Sequence, residues 1–175
     1  LSALHSNDEK LRIIGHLPYD ITSPILTRLF EHRAAIETAV VMMQREVADR
    51  VAASPRSRDY GLLSATAQLY ASIERILTLP PSAFMPPPEV HSTVLRLTMR
   101  PRSEELRVQP ESFLPFLRQS FAQKRKTLAK NLRAAGFDSV AIAKALKESQ
   151  ILPTARAEEL DLEHMAALWK NLSRN

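Results

Sequence analysis

The chain contains no cysteine. Disulfides and thiolate-ligated metals are therefore excluded, and a reducing compartment fits. Glycine is almost as scarce: Gly15, Gly61 and Gly136 are the only three, and none lies near another. No apolar run approaches the roughly 18 residues that a membrane-spanning helix needs, and the N-terminus lacks the basic-then-apolar layout of a signal peptide. The expected location is the cytoplasm, with no membrane partner. His5, His32, His91 and His164 are scattered without metal-ligand spacing, so no metal site is expected.

What is present suits a folded chain. With 45% apolar residues in 175, it can bury a core as one domain, or as one domain with a small appendix. The net charge is +5, unevenly spread. Residues 1–99 hold 10 Lys and Arg against 10 Asp and Glu, whereas residues 100–175 hold 14 against 9. Within the second part, Arg118, Lys124, Arg125, Lys126, Lys130 and Arg133 follow one another with no acid between them. Such a stripe attracts polyanions, of which nucleic acid is the commonest. A solvated helix face would have the same composition.

The periodicity divides at about residue 100. Residues 11–14 and 38–43 ("TAVVMM") read as buried strands on either side of a helix at residues 21–30, the pattern of a parallel sheet covered on both faces. Helices are expected at residues 46–53 and 62–70, the latter with Leu62, Ala65, Leu69 and Thr66 as inward candidates. The loop "SPRSRDYG" separates them. Residues 72–79 and 92–99 read as strands, joined by "PPSAFMPPPEV". Five prolines in eleven residues exclude helix and central strand and suit a rigid connector at an antiparallel edge. Helices then fall at residues 110–121, 125–135, 139–149 and 162–172. Asp138 and Asp161 are placed to cap the last two, and Gly136 to end the second. The fold class is α/β, with residues 1–100 forming a sheet domain and residues 101–175 a helical domain that carries the basic stripe.

One short stretch, "GHLPYDITSPIL", stands at a strand end, where ligands bind in open α/β sheets. Pro18 fixes its own φ and biases Leu17 to extended backbone, which can turn the Leu17 carbonyl outward as an acceptor. Tyr19 offers a stacking face, and His16 can accept through one neutral ring nitrogen. A flat amine-bearing base needs those three groups, held rigid. A packed aromatic after a proline is the plainer reading of Tyr19.

The blocks "IIGHLPYDITSPIL", "VVMMQREVADRVAASPRSRDYGLLSATAQLY" and "PPSAFMPPPEVHSTVLRL", in this order and spacing, resemble the KsgA/RsmA family of rRNA adenine dimethyltransferases. "LRQSFAQKRKTLAKNL" is similar to the family's basic helical segment. The resemblance implies a Rossmann-like class I methyltransferase sheet followed by a small helical bundle. It also implies transfer of methyl groups from S-adenosylmethionine to the N6 amines of two adjacent adenines in small-subunit (16S) rRNA. The partners would be that rRNA and the small ribosomal subunit, and the role ribosome biogenesis. The family's Asn-Leu-Pro-Tyr motif maps onto His16, Leu17, Pro18 and Tyr19, the implied catalytic residues. Tyr19 and Phe84 are the implied stacking partners of the target base, and His16 would also border the cofactor. Catalysis would rest on positioning the amine for direct attack on the sulfonium methyl, without metal or covalent intermediate.

Two departures qualify that implication. His16 stands where the family has Asn; imidazole is bulkier than an amide and, when protonated, offers no acceptor. The three scattered glycines cannot form the family's glycine-rich cofactor loop, and no acidic residue is placed to hold the cofactor's ribose. Residues 1–10 are similar to the loop before the family's fourth strand, so the chain is expected to be the C-terminal portion of a longer methyltransferase. A sheet cut there would expose an edge, with self-association as the expected consequence. The alternative is a non-catalytic rRNA-binding or ribosome-assembly module.

Overall fold

The structure, a computed structural model, describes residues 10–174. Strand β1 (Leu11–His16) leads into one turn of 3-10 helix at Tyr19–Ile21 and then helix α1 (Thr22–Glu31). Pro18 makes the break: at φ −57° and ψ 135° its backbone is extended, and it has no N–H to donate. Thr22 starts the helix by donating its Oγ1 proton to the Pro18 carbonyl at 2.9 Å. Thr22, Leu26 and Phe30, four residues apart, form the buried stripe of α1. Apart from Lys10, the loop reading of residues 1–10 lies outside the described residues.

Strand β2 (Ile36–Gln44) pairs with β1 in parallel, from Leu11 beside Ile36 to His16 beside Met42. Ile36, Ala39, Val41 and Met43 are fully buried, while Val40 and Met42 between them are half-covered. An unbroken apolar run is what such two-sided cover requires. Helices α2 (Arg45–Val51) and α3 (Leu62–Tyr70) precede β3 (Ala71–Leu79), and β4 (Ser92–Met99) completes the sheet. Ala65 and Leu69 of α3 are buried as expected, together with Ser64, Ala67 and Tyr70, whereas Leu62 and Thr66 are only half-covered. The strand order is β1-β2-β4-β3, with β4 antiparallel to both neighbours. The outer strand β3 is largely exposed and bulges between Arg75 and Leu77, an irregularity that discourages edge pairing.

β1 corrects one expectation. Residues 11–14 read as a buried strand, yet β1 alternates between half-buried and exposed, with Ile14 86% exposed. Among the described residues β1 is the opposite outer strand, hydrogen-bonded to β2 alone.

The later helices are α4 (Ser103–Leu106), α5 (Pro110–Ser120), α6 (Leu128–Ala134), α7 (Ser139–Glu148) and α8 (Leu162–Ser173). α4 was not foreseen. α6 and α8 each pack against both α5 and α7. Phe116 is central, with the rings of Phe113, Phe137 and Trp169 at 5.9, 6.4 and 5.2 Å. Asp138 and Asp161 cap α7 and α8, accepting from the amides of Val140, Ala141 and His164. Gly136 follows α6 at φ +96°, a conformation that side chains resist.

The chain divides into two compact units. The first joins the residues up to Ala52 to Tyr70–Pro101; the second joins Ala53–Leu69 to the chain from Arg102 onward. A single boundary at residue 100 is thus corrected, because residues 53–69 pack with the helices. The Arg56 N–H donates to the Glu158 carbonyl at 2.8 Å, and the Tyr60 ring meets Phe121 edge-on at 6.0 Å. Among the described residues no helix is long and apolar enough to cross a membrane.

Candidate functional site

Register places the parts of the first site. His16 ends β1 beside Met42 near the end of β2. Ser92, the first residue of β4, faces Gln44 at the end of β2 and Leu79 at the end of β3. The proline-rich β3–β4 loop therefore opens at the same end of the sheet as the corner after β1. There a cavity of about 370 Å³ is lined by His16, Pro18, Tyr19, Asp20, Phe84, Pro86 and Pro88. Four of the residues expected at the site, His16, Pro18, Tyr19 and Phe84, meet across 68 positions of sequence.

Leu17 is not part of the wall. Its side chain is 6% exposed, and its N–H donates to the Met42 carbonyl at 2.8 Å. The corner is thereby tied to the sheet, while the Leu17 carbonyl has no hydrogen-bond donor among the described residues. Tyr19 is fixed at both ends: its hydroxyl lies 2.8 Å from Ser92 Oγ, and the His16 ring meets it edge-on at 5.9 Å. Ser92 is fully buried. Neighbouring Thr93, also fully buried, shares a 3.0 Å hydrogen bond with Thr78. A planar ring therefore finds aromatic and proline walls, with acceptors available on the His16 imidazole and the Asp20 carboxylate. Ser92 and Asp20 were missed from the sequence. By alternation Ser92 shares a face of β4 with Val94, Arg96 and Thr98, so the local pattern gave no signal for its burial.

The wall contains no glycine, and a Cβ added at Gly15, Gly61 or Gly136 would meet nothing within 4 Å. None of the three supports a close backbone approach. Among the described residues no glycine is brought to this cavity to cradle the methionine and ribose of S-adenosylmethionine.

The basic residues lie in the second unit. Arg118, Lys124, Arg125, Lys126, Lys130 and Arg133 are all exposed. The expected helix over residues 125–135 is shorter: α6 starts at Leu128, capped by Thr127, whose Oγ1 accepts from the Lys130 amide. Arg125 and Lys126 instead occupy a turn, in which the Lys126 N–H donates to the Gln123 carbonyl at 3.0 Å. Asn131 sets this turn. Only 4% exposed, it donates Nδ2 protons to the Ser120 carbonyl at 2.7 Å and the Gln123 carbonyl at 3.2 Å. Lys124 Nζ donates to the Arg58 carbonyl at 2.6 Å. Among the described residues Arg118, Arg125, Lys126, Lys130 and Arg133 form no ion pair. Their charge is available to an outside anion. Asn131 was another residue missed from the sequence; a poor helix former inside "LAKNLRA" is a signal that its amide is used.

Around the start of α8 the charges are structural. Burial pushes the Tyr60 hydroxyl up to about 12, with Asp161 and Glu163 adding to the effect. Burial alone would raise Asp161, but hydrogen bonds from the amide and ring of His164 hold its carboxyl below the usual range. Arg102 bridges Glu105 and Glu163.

Solved structures share this fold. A dimethyladenosine transferase from Plasmodium falciparum superposes with a TM-score of 0.76 at 21% identity, over 98% of this chain and 70% of that one. The 23S rRNA methyltransferase ErmE superposes at 0.69 and 23% identity, over 96% and 67%. The mixed α/β fold is thus that of rRNA methyltransferases. The family model "Ribosomal RNA adenine dimethylase" matches residues 2–174, and the chain belongs to that family. Ribosomal RNA small subunit methyltransferase A of Acidobacterium capsulatum is 62% identical over 172 residues, 98% of this chain and 61% of the relative. The protein of the same description from Koribacter versatilis is 54% identical, over 95% and 58%. The chain spans about three fifths of the length of these relatives.

Proposed function

We propose that these residues form the target-base and RNA-binding portion of an S-adenosylmethionine-dependent, cytoplasmic enzyme that dimethylates the N6 amines of two adjacent adenines in small-subunit rRNA. In this reading the sheet is the C-terminal part of a Rossmann-like methyltransferase sheet, and the helical unit is its RNA-binding bundle. The observation that carries it is the meeting of His16, Pro18, Tyr19 and Phe84 around one cavity. Tyr19 and Phe84 stack on the adenine, and the Leu17 carbonyl and the neutral His16 ring accept from its amine, which orients the nitrogen lone pair. S-adenosylmethionine would supply the methyl group, held mainly by residues outside this set. The six basic side chains bind phosphates of the rRNA. The exposed outer edge of β1, with Ile14, supports self-association of the isolated chain, which light scattering would register as a dimer or larger species.

One observation favours a second reading, a non-catalytic rRNA-binding or assembly module: imidazole replaces the family's amide at His16. The experiment that separates them is transfer of labelled methyl groups to undermethylated small ribosomal subunits by the complete gene product. Dimethylation of two adjacent adenines supports the enzyme. Subunit binding without transfer, restored to transfer by His16→Asn, identifies the module and the residue responsible.

A further inference from the structure

We infer that Arg56 and Arg58, on the loop between α2 and α3, join the basic turn in one phosphate-binding surface and grip a second stretch of RNA backbone. The inference rests on the RNA-binding reading above and adds residues that the basic stripe does not contain. In the sequence this loop is distant from the turn and looks like simple punctuation. In the structure both belong to the helical unit, and Arg56, Ser57, Arg58 and Lys124 line one cavity of about 630 Å³ with Glu158 and Glu159.

Three observations carry it. First, the loop and the turn are tied together, because Lys124 Nζ donates to the Arg58 carbonyl at 2.6 Å. That bond uses a backbone acceptor and leaves the ammonium charge without a carboxylate partner. Second, Arg56 and Arg58 are exposed and form no ion pair among the described residues. The cavity also holds two carboxylates, of which Glu158 lies 3.9 Å from Arg156 and Glu159 accepts from the Arg156 amide at 3.1 Å, so three cations there face two acids. Third, Arg56 adopts φ +71°, a left-handed conformation costly for a residue with a side chain. Its N–H donates to the Glu158 carbonyl at 2.8 Å, and Ser57 closes a turn onto the Ser54 carbonyl through both its N–H and its hydroxyl. Glycine would meet that backbone demand better, so an arginine stands there at a conformational cost with its guanidinium exposed. Planar guanidinium groups suit bidentate phosphate binding.

The test is fluorescence anisotropy of a labelled small-subunit rRNA hairpin with the whole chain across a salt series. Arg56→Gly removes the charge while easing the backbone, so a folding defect is not expected; Arg58→Gln removes the second charge. The double variant should melt like the parent, bind several-fold more weakly, and flatten the slope of log affinity against log salt by about 0.7 for each phosphate no longer neutralised. A parent-like affinity and slope would overturn the inference. Lys124/Arg125/Lys126→Ala, run in parallel, isolates the underlying reading. Weakened binding in that triple variant beside an unchanged loop variant sinks only the role of the loop. Unchanged binding in both sinks the RNA-binding reading with it.

Discussion

The two units carry candidate sites of different build. At the end of the sheet, Leu17 is pinned to Met42, Tyr19 to Ser92, and prolines line the cavity beside Phe84; the groups that would meet a ligand are few, with Tyr19 and Phe84 half-buried and His16, Pro18 and Asp20 exposed. In the helical unit the six stripe cations are exposed, and among the described residues none forms an ion pair; only the turn beneath them is fixed, by Asn131 and by the Thr127 cap. A site that must orient one atom depends on every contact. A surface that neutralises a polyanion adds up its charges, and each is individually expendable.

That contrast can be broken by substitution. Removing three charges at once, Lys124/Arg125/Lys126→Ala, has the largest expected effect. At roughly 1 kcal/mol for each exposed phosphate pairing the affinity for an rRNA hairpin falls on the order of a hundredfold, and the salt slope flattens by about 2. Tyr19→Ala removes a stacking face worth about 2 kcal/mol for one base. In the methyl-transfer assay of the complete gene product it should depress turnover while leaving the salt slope of hairpin binding unchanged. A changed slope would erase the distinction between the two units.

Asn131→Leu keeps the volume and removes both donors to the turn. Melting should register a loss of about 1–2 kcal/mol, and hairpin affinity should fall although no charge has changed. Ser92→Ala is milder, at about 1 kcal/mol. Its signature is lower turnover with an unaltered KM for the RNA, and no further effect when combined with Tyr19→Phe. The smallest effect is one of pH. Because the Asp161 carboxyl is held below its ordinary value of 3.8, its contribution to stability is complete above that value and is lost as pH falls through the lower folded value. Melting temperatures of Asp161→Asn should therefore decline less steeply on acidification than those of the parent.

Much of this was legible in the residues. Continuous apolar runs marked β2, proline spacing marked the loop before β4, and Asp138 and Asp161 announced their helices. The corner could be read from its local motif, whereas Phe84 was named only through the family resemblance of the proline-rich block. Long-range partners could not. Ser92 serves Tyr19 across 73 positions and Lys124 reaches Arg58 across 66, and neither bond leaves a periodic trace. The end of α6 was clear from Gly136, but its start was not, since Arg125 and Lys126 are good helix formers overruled by the Thr127 cap and the Asn131 side chain.

The most direct test of the base-and-backbone division is hairpin binding by this chain with the RNA varied instead of the protein. A small-subunit rRNA hairpin with its two adjacent adenines intact should bind several-fold more tightly than one in which both are replaced by uridine, with the same salt slope for the two. Equal affinity for both hairpins, and for duplex DNA of the same length, would contradict an adenine site at the His16–Tyr19 corner and leave only a non-specific polyanion surface.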